Sequence, residues 1–357
     1  MNAHALLFAA TVGVLGACAG LLLAVIVVRV DRIAGDRREE RLLAPLRRTL
    51  IQVAAGEDDE GLAVRELAGT TGATAAALDR RIIGLLTKVR GAPAEQLVEV
   101  LRAHGAVHRA HRELQHRSPV RRARAAQLLG LTGTEDAREA LESALRDRFV
   151  EVRGSAAYAL GLIGDPRSAG PILAAVGGAT GRRGAPLGLP AGAAADALQG
   201  MGIAISGELR AALDDAHPRT RTVAAFVIGA GSFTSALPRL RDLLQSDPDV
   251  TVRSACAYAI GHLGRAADVA ALAAHTSDAE ATALRRACVA ALAELGEPTA
   301  LPVLTGLVTD PDPRVGEQAA AALLGLGREG HAALEPFRDA PATRSATLLA
   351  ALQGSAR

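Results

Sequence analysis

The chain has no tryptophan, two tyrosines and five phenylalanines, so aromatic residues make up 2% of its 357 positions. A core filled by large rings is excluded, although 49% of the residues are apolar. That apolar mass is mostly Ala, Leu and Val, which suits helices packed through small contacts. Three cysteines exclude a disulfide-stapled scaffold. Lys88 stands alone beside 39 arginines, which removes lysine chemistry almost everywhere. An excess of one charge is also lacking: 40 basic against 38 acidic residues leave +2. Proteins that coat nucleic acid carry a strong basic excess, so nucleic acid is not expected as a partner. The hydrophobicity argues against intrinsic disorder, and the length suits two domains or one elongated array.

One long apolar run is present. Ala5 to Val28 contains no charge over 24 residues. As a helix it would extend about 36 Å, enough to cross a hydrocarbon layer of about 30 Å. Seven arginines follow between positions 29 and 48 and none precede the run. By the positive-inside rule residues 1–4 lie outside and everything after Arg29 lies in the cytoplasm, at the cell (inner) membrane. The juxtamembrane arginines could also meet anionic lipid. Leu15-Gly16-Ala17-Cys18 offers a lipoprotein reading, and a cleaved signal peptide is a third. Both want a basic stretch before the run, and cleavage at Cys18 would strand eight apolar residues behind the lipid. A retained helix is the expectation.

The rest of the chain repeats. AAQLLGLTG (125–133), AAYALGLIG (156–164), AADALQGMG (194–202), CAYAIGHLG (256–264), CVAALAELG (288–296) and AAALLGLG (320–327) vary one pattern, with TVAAFVIGAGS (222–232) a looser copy. Closing glycines recur at intervals of 31 or 32, as from Gly133 to Gly164 and from Gly264 to Gly296. The opening arginines keep an interval of 32: Arg121 to Arg153, Arg221 to Arg253, Arg253 to Arg285. Such a period means stacked two-helix units, none of which can bury its apolar face alone. Within one unit, Val152, Ala156, Ala159, Leu160 and Ile163 share a helical face, Gly164 suits a C-cap and Asp165-Pro166 starts the next turn.

The string VRxxAAxALGxIGD, read at 152–165 and followed by a second amphipathic helix, resembles the HEAT repeat of the short bacterial type named after phycobilisome lyases. The resemblance covers Ser118 to Pro341 as seven units of 32. The third unit has lost the Val-Arg opening, and the seventh has Val315-Gly316 in its place. It implies an all-α fold: an α-solenoid of stacked two-helix repeats, preceded here by one transmembrane helix. The expected organisation is a tail at 1–4, the membrane helix at 5–30, juxtamembrane and capping helices at 31–117, seven repeats at 118–341, and a capping helix and tail at 342–357. Within 31–117, Leu42 to Val53, Ala73 to Val89 and Glu95 to His104 show helical periodicity.

The residues that could carry chemistry are few. Cys256 and Cys288 occupy one small-residue slot in adjacent repeats and are expected to pack like alanine. The glycine-rich stretch Gly177 to Pro190 lacks the lysine of a phosphate loop; a plain loop is expected, although Arg182 and Arg183 could meet an anion or an acidic partner. Between Arg102 and Arg124 lie seven arginines, four histidines and one acid, Glu113. This segment reads as a solvated edge or as a docking patch through Arg109 and Arg112, and a metal site lacks the carboxylate or thiolate it would need. His104, His108 and His111 would align only if one helix ran through Gly105. Tyr158, Phe226 and Tyr258 share one repeat position, about 120° from the core-facing direction of their helices. They either pack between repeats or anchor a ligand protein in the groove.

Enzymatic relatives of the repeat do not transfer. Deoxyhypusine hydroxylases of this architecture bind iron through His-Glu pairs, and no His-Glu dipeptide occurs here. Bilin-lyase subunits share a repeat that carries no reaction, and HEAT-like DNA glycosylases use basic aromatic grooves. No Ser/His/Asp arrangement is evident. The expectation is a membrane-tethered scaffold or adaptor, without cofactor, that binds a partner protein, such as a membrane-associated enzyme or signalling protein, in the solenoid groove. The alternative is an accessory subunit or enzyme of lyase or protein-modification type.

Overall fold

The computed structural model describes residues 20–22, 29, 37–134, 136–178 and 188–354. Most of the run Ala5–Val28, and Arg182 and Arg183, lie outside these residues. No helix among the described residues is long and apolar enough to cross a membrane. The described residues form helices and turns with no strand, in two compact units, Met1–Ala110 and His111–Arg357.

In the first unit α1 (Arg47–Ala55), α2 (Leu62–Ala68), α3 (Gly72–Leu86) and α4 (Ala92–Ala103) enclose fully buried Val53, Leu67, Leu78, Ile82, Leu97 and Leu101. Periodicity does not announce α2, because seven residues span only two turns. Asp58 starts it: its carboxylate accepts the Ala63 and Val64 amides at 3.1 and 2.9 Å, taking up donors that the first turn leaves unpaired. Gly105, at φ +68°, ends the α4 segment in a left-handed turn. α5 (Ala106–Glu113) follows as a separate helix and carries the boundary between the units. The three histidines therefore do not share one helix.

The second unit alternates long and short helices. The long ones are α6 (Pro119–Thr132), α8 (Val150–Ile163), α10 (Ala191–Gln199), α12 (Pro218–Ala230), α14 (Val250–Leu263), α16 (Thr282–Leu295) and α18 (Pro313–Gly325). Between them lie the short α7 (Ala137–Ala144), α9 (Ala169–Gly177), α11 (Ser206–Ala212), α13 (Leu237–Ser246), α15 (Val269–Ala273) and α17 (Leu301–Leu307). After α18 come α19 (Gly327–Leu334) and α20 (Pro341–Gly354), which packs on α18 as one more long helix. Local chemistry starts and stops these helices. Pro119, Pro218 and Pro313 open three of them, where a missing amide costs nothing. The Asp249 carboxylate caps α14 by accepting the Thr251 amide at 2.7 Å.

An arginine near the start of four of the long helices ties consecutive units together. It is the fourth residue of its long helix and reaches an acid in the loop before the next one. Arg122 donates to both Asp147 oxygens at 2.7 and 2.8 Å, and Arg221 to both Asp247 oxygens at 2.8 Å. Arg253 meets Glu280 at 2.7 Å, and Arg285 meets Asp310. The structure corrects the register of the first unit: Arg122, not Arg121, takes the buried place, and Arg121 sits half-exposed on Glu113. The ladder breaks around the third unit. Arg153 is buried but, among the described residues, donates only to the carbonyls of Asp147 and Gly188. α10 starts a turn late, with Ala191 where an arginine would stand, so its nine residues replace the usual thirteen or fourteen.

Candidate binding face

Long helices pack directly on long helices, whereas successive short helices touch little. A stack whose one layer packs closer curves toward that layer, so the long helices line the inner face of the second unit. Their approach depends on glycine. A Cβ on Gly130 would lie 2.5 Å from the Ala159 Cα; Gly161 meets Ala197, Gly229 meets Ala259 and Gly261 meets Ala291 in the same way, each at 2.7 Å. Backbone thus rests on backbone. The contact residue is buried in every long helix after α6, where Leu128 in the same place is half-buried, and the residue just before it faces solvent or half-faces it. Those positions are Gln127, Tyr158, Asp196, Phe226, Tyr258, Ala290 and Ala321.

Tyr158 is 53% exposed and Phe226 38% exposed. Phe226 and Tyr258 stack across neighbouring units with centroids 5.0 Å apart and planes 19° apart, and His262 lies against Tyr258 at 4.3 Å. The two roles weighed for these rings therefore divide. Phe226 and Tyr258 touch each other between repeats while keeping an open face; Tyr158 stands clear. Leu162, one turn beyond Tyr158, extends its apolar surface.

A sequence profile for HEAT repeats matches residues 110–183, 207–289 and 276–353, more than half of the chain. The chain belongs to the HEAT-repeat family. The stretch between the first two of these matches, 184–206, holds α10, the helix that lacks the arginine of its neighbours. Human deoxyhypusine hydroxylase resembles this HEAT-repeat chain with 22% identity and a TM-score of 0.31, covering 83% of this chain and 99% of that one. Kap121p follows with 10%, 0.41, 86% and 47%. The CpcE–CpcF complex of phycocyanin lyase from Nostoc sp. follows with 18%, 0.30, 66% and 94%. Likeness this distant carries no functional argument. No curated protein sequence matches the chain.

Outside the HEAT units the structure brings together a set that sequence spacing hid. Thr70 Oγ1 lies 3.1 Å from His104 Nε2, and His104 Nδ1 lies 2.6 Å from an Asp79 oxygen. Hydroxyl, imidazole and carboxylate line up, contrary to the expectation that no such arrangement exists. The hydrogens run the wrong way for a nucleophile. The Thr70 hydroxyl donates to the Leu67 carbonyl at 2.9 Å, and Nε2 faces that same carbonyl at 3.1 Å. The Thr70 proton is thus directed at a backbone carbonyl and not at the imidazole. The His104 side chain is 2% exposed, which leaves no approach for substrate. The set is a clasp joining α2, α3 and α4. Arg109 completes it, donating to the other Asp79 oxygen at 2.8 Å and to the His104 carbonyl at 2.6 Å. Arg109, expected as a docking residue, makes these contacts while its side chain stays half-exposed.

The remaining arginines of that segment divide. Arg121 and Arg122 are paired, whereas Arg102, Arg112, Arg117 and Arg124 are exposed and make no ion pair among the described residues. Cys256 and Cys288 are fully buried, and burial pushes both thiols up to about 12, so neither is a nucleophile near neutrality. Among the described residues no three His, Cys, Asp or Glu side chains gather as a metal site would require.

Proposed function

We propose that this HEAT-repeat protein is a membrane-tethered binding scaffold whose partner lies along the inner face of the second unit. The observation that carries the reading is the exposure of Tyr158 and Phe226 on that face, in a chain with seven aromatic residues. Exposed rings on a rigid stack lose little entropy on binding and supply most of the energy of a typical interface. The tether is the uncharged run Ala5–Val28 with its following arginines, which places the repeats in the cytoplasm and raises the local concentration of a membrane-associated enzyme or signalling partner. The mechanism is non-catalytic; the buried clasp at His104 and the protonated buried thiols support this over a lyase-type role.

Two measurements test it. Partners crosslinked to the full chain in cells should fall about tenfold or more with Tyr158→Ala plus Phe226→Ala, while Tyr158→Ala alone leaves melting unchanged. Capture that ignores both substitutions would remove the inner face from the proposal. A reporter active only in the cytoplasm, fused after Arg357, should be active; activity of an export-dependent reporter there would reverse the topology.

A further inference from the structure

Two rows of side chains cover the inner face of units two to five: the ring positions and the positions one turn further on. Tyr158 and Leu162 occupy them in unit two, Phe226 in unit four, Tyr258 and His262 in unit five. Gly200 and Ala230 fill two of the remaining places. Asp196, in unit three, is the one acid in this patch; no arginine or lysine is present, and the one basic side chain, His262, lies two units away against Tyr258. The Asp196 side chain is exposed and has no hydrogen-bond or ion-pair partner among the described residues.

A lone carboxylate between aromatic rings is a cation-selective combination. It supplies the charge, and the rings on both sides offer negatively polarised faces to a guanidinium or ammonium group. The apolar surround lowers the local dielectric and strengthens that attraction relative to bulk water. Spacing sets the rest. Long helices in contact lie about 8–10 Å apart, and an extended peptide advances about 3.3 Å per residue, so one repeat corresponds to about three residues.

We propose that the face between Tyr158 and Phe226 binds an extended peptide segment of a partner protein in which an arginine or lysine is flanked, about three residues away on each side, by large apolar side chains. The cation pairs with Asp196, and the apolar residues rest on Tyr158–Leu162 and on Phe226–Tyr258. This rests on the inner-face scaffold reading and adds the chemistry of the partner.

The probe is a library of random twelve-residue peptides displayed on phage, selected on the full chain in detergent micelles. The wild type should enrich sequences with a basic residue between two large apolar ones. Asp196→Lys should shift enrichment to an acidic residue at that place and weaken the best wild-type peptide about tenfold or more. Asp196 is exposed, so this variant folds, and unchanged melting checks that. Enrichment of apolar peptides without charge preference, of acidic peptides by the wild type, or of nothing would overturn the proposal. Selected peptides that ignore charge but are lost with Tyr158→Ala would leave the scaffold reading standing. Peptides indifferent to Tyr158→Ala and Phe226→Ala would sink both.

Discussion

Asp147→Ala should destabilise the second unit by about 3–5 kcal/mol, because it leaves a buried arginine without its carboxylate. Arg122 is 8% exposed and donates through Nε and a terminal nitrogen to Asp147, with the carbonyls of His116 and Arg117 accepting from the remaining one. Those carbonyls cannot neutralise the guanidinium. The loss should be local, since each repeat contacts only its neighbours: hydrogen exchange should rise in α6 to α8 and stay unchanged in α16. Acid titration supplies an independent check. Burial pushes the Asp147 carboxyl up, but the Arg122 hydrogen bonds and the Phe149 amide outweigh it and hold the group below its ordinary value. A depressed folded value means that its contribution is complete above the unfolded carboxylate range, about pH 4, and fades as pH falls through the folded value. The stability gap between wild type and Asp147→Ala should therefore narrow below about pH 4. A gap that stays constant into stronger acid would contradict the ion-pair account.

Gly261→Ala and Gly154→Ala should change stability in opposite directions. Both replace a helical glycine, in α14 and α8, and both remove chain entropy from the unfolded state. At Gly154 nothing lies within 4 Å of the new methyl, so a gain of about 0.5–1 kcal/mol is expected. At Gly261 the methyl would sit 2.7 Å from the Ala291 Cα and 3.2 Å from its carbonyl oxygen. Backbone cannot yield as a side chain can, so α14 and α16 must separate, at a cost of about 1–3 kcal/mol or more. Denaturant unfolding of the two variants decides it: equal shifts would show that glycine approach does not set the spacing of the long helices.

Much of the architecture is legible along the chain because its signals are local. The helical spacing of Val152, Ala156, Ala159 and Ile163, the proline openings and the glycine ends all act within one or two turns, and their recurrence predicts a stack. The seven-residue α2 escaped for the same reason, since two turns are too few for a period to show. Register in the first unit slipped by one because Arg121 and Arg122 are neighbours of identical chemistry. Only the position of Asp147, twenty-five residues from Arg122, distinguishes them.

Periodicity dictates that this chain stacks helices, since an apolar stripe on one helix must be covered by the next. It cannot dictate which polar groups meet, because those meetings join residues far apart in sequence. Thr70, Asp79 and His104 come together through the packing of three helices, and whether they form a reactive set or a clasp depends on where the Leu67 carbonyl points. Tyr158, Phe226 and Tyr258 occupy the same repeat position, yet Phe226 and Tyr258 stack while Tyr158 stays open, because unit three, carrying Asp196 in place of a ring, stands between them. Local pattern specifies the repeat; contacts between repeats decide what its surface can hold.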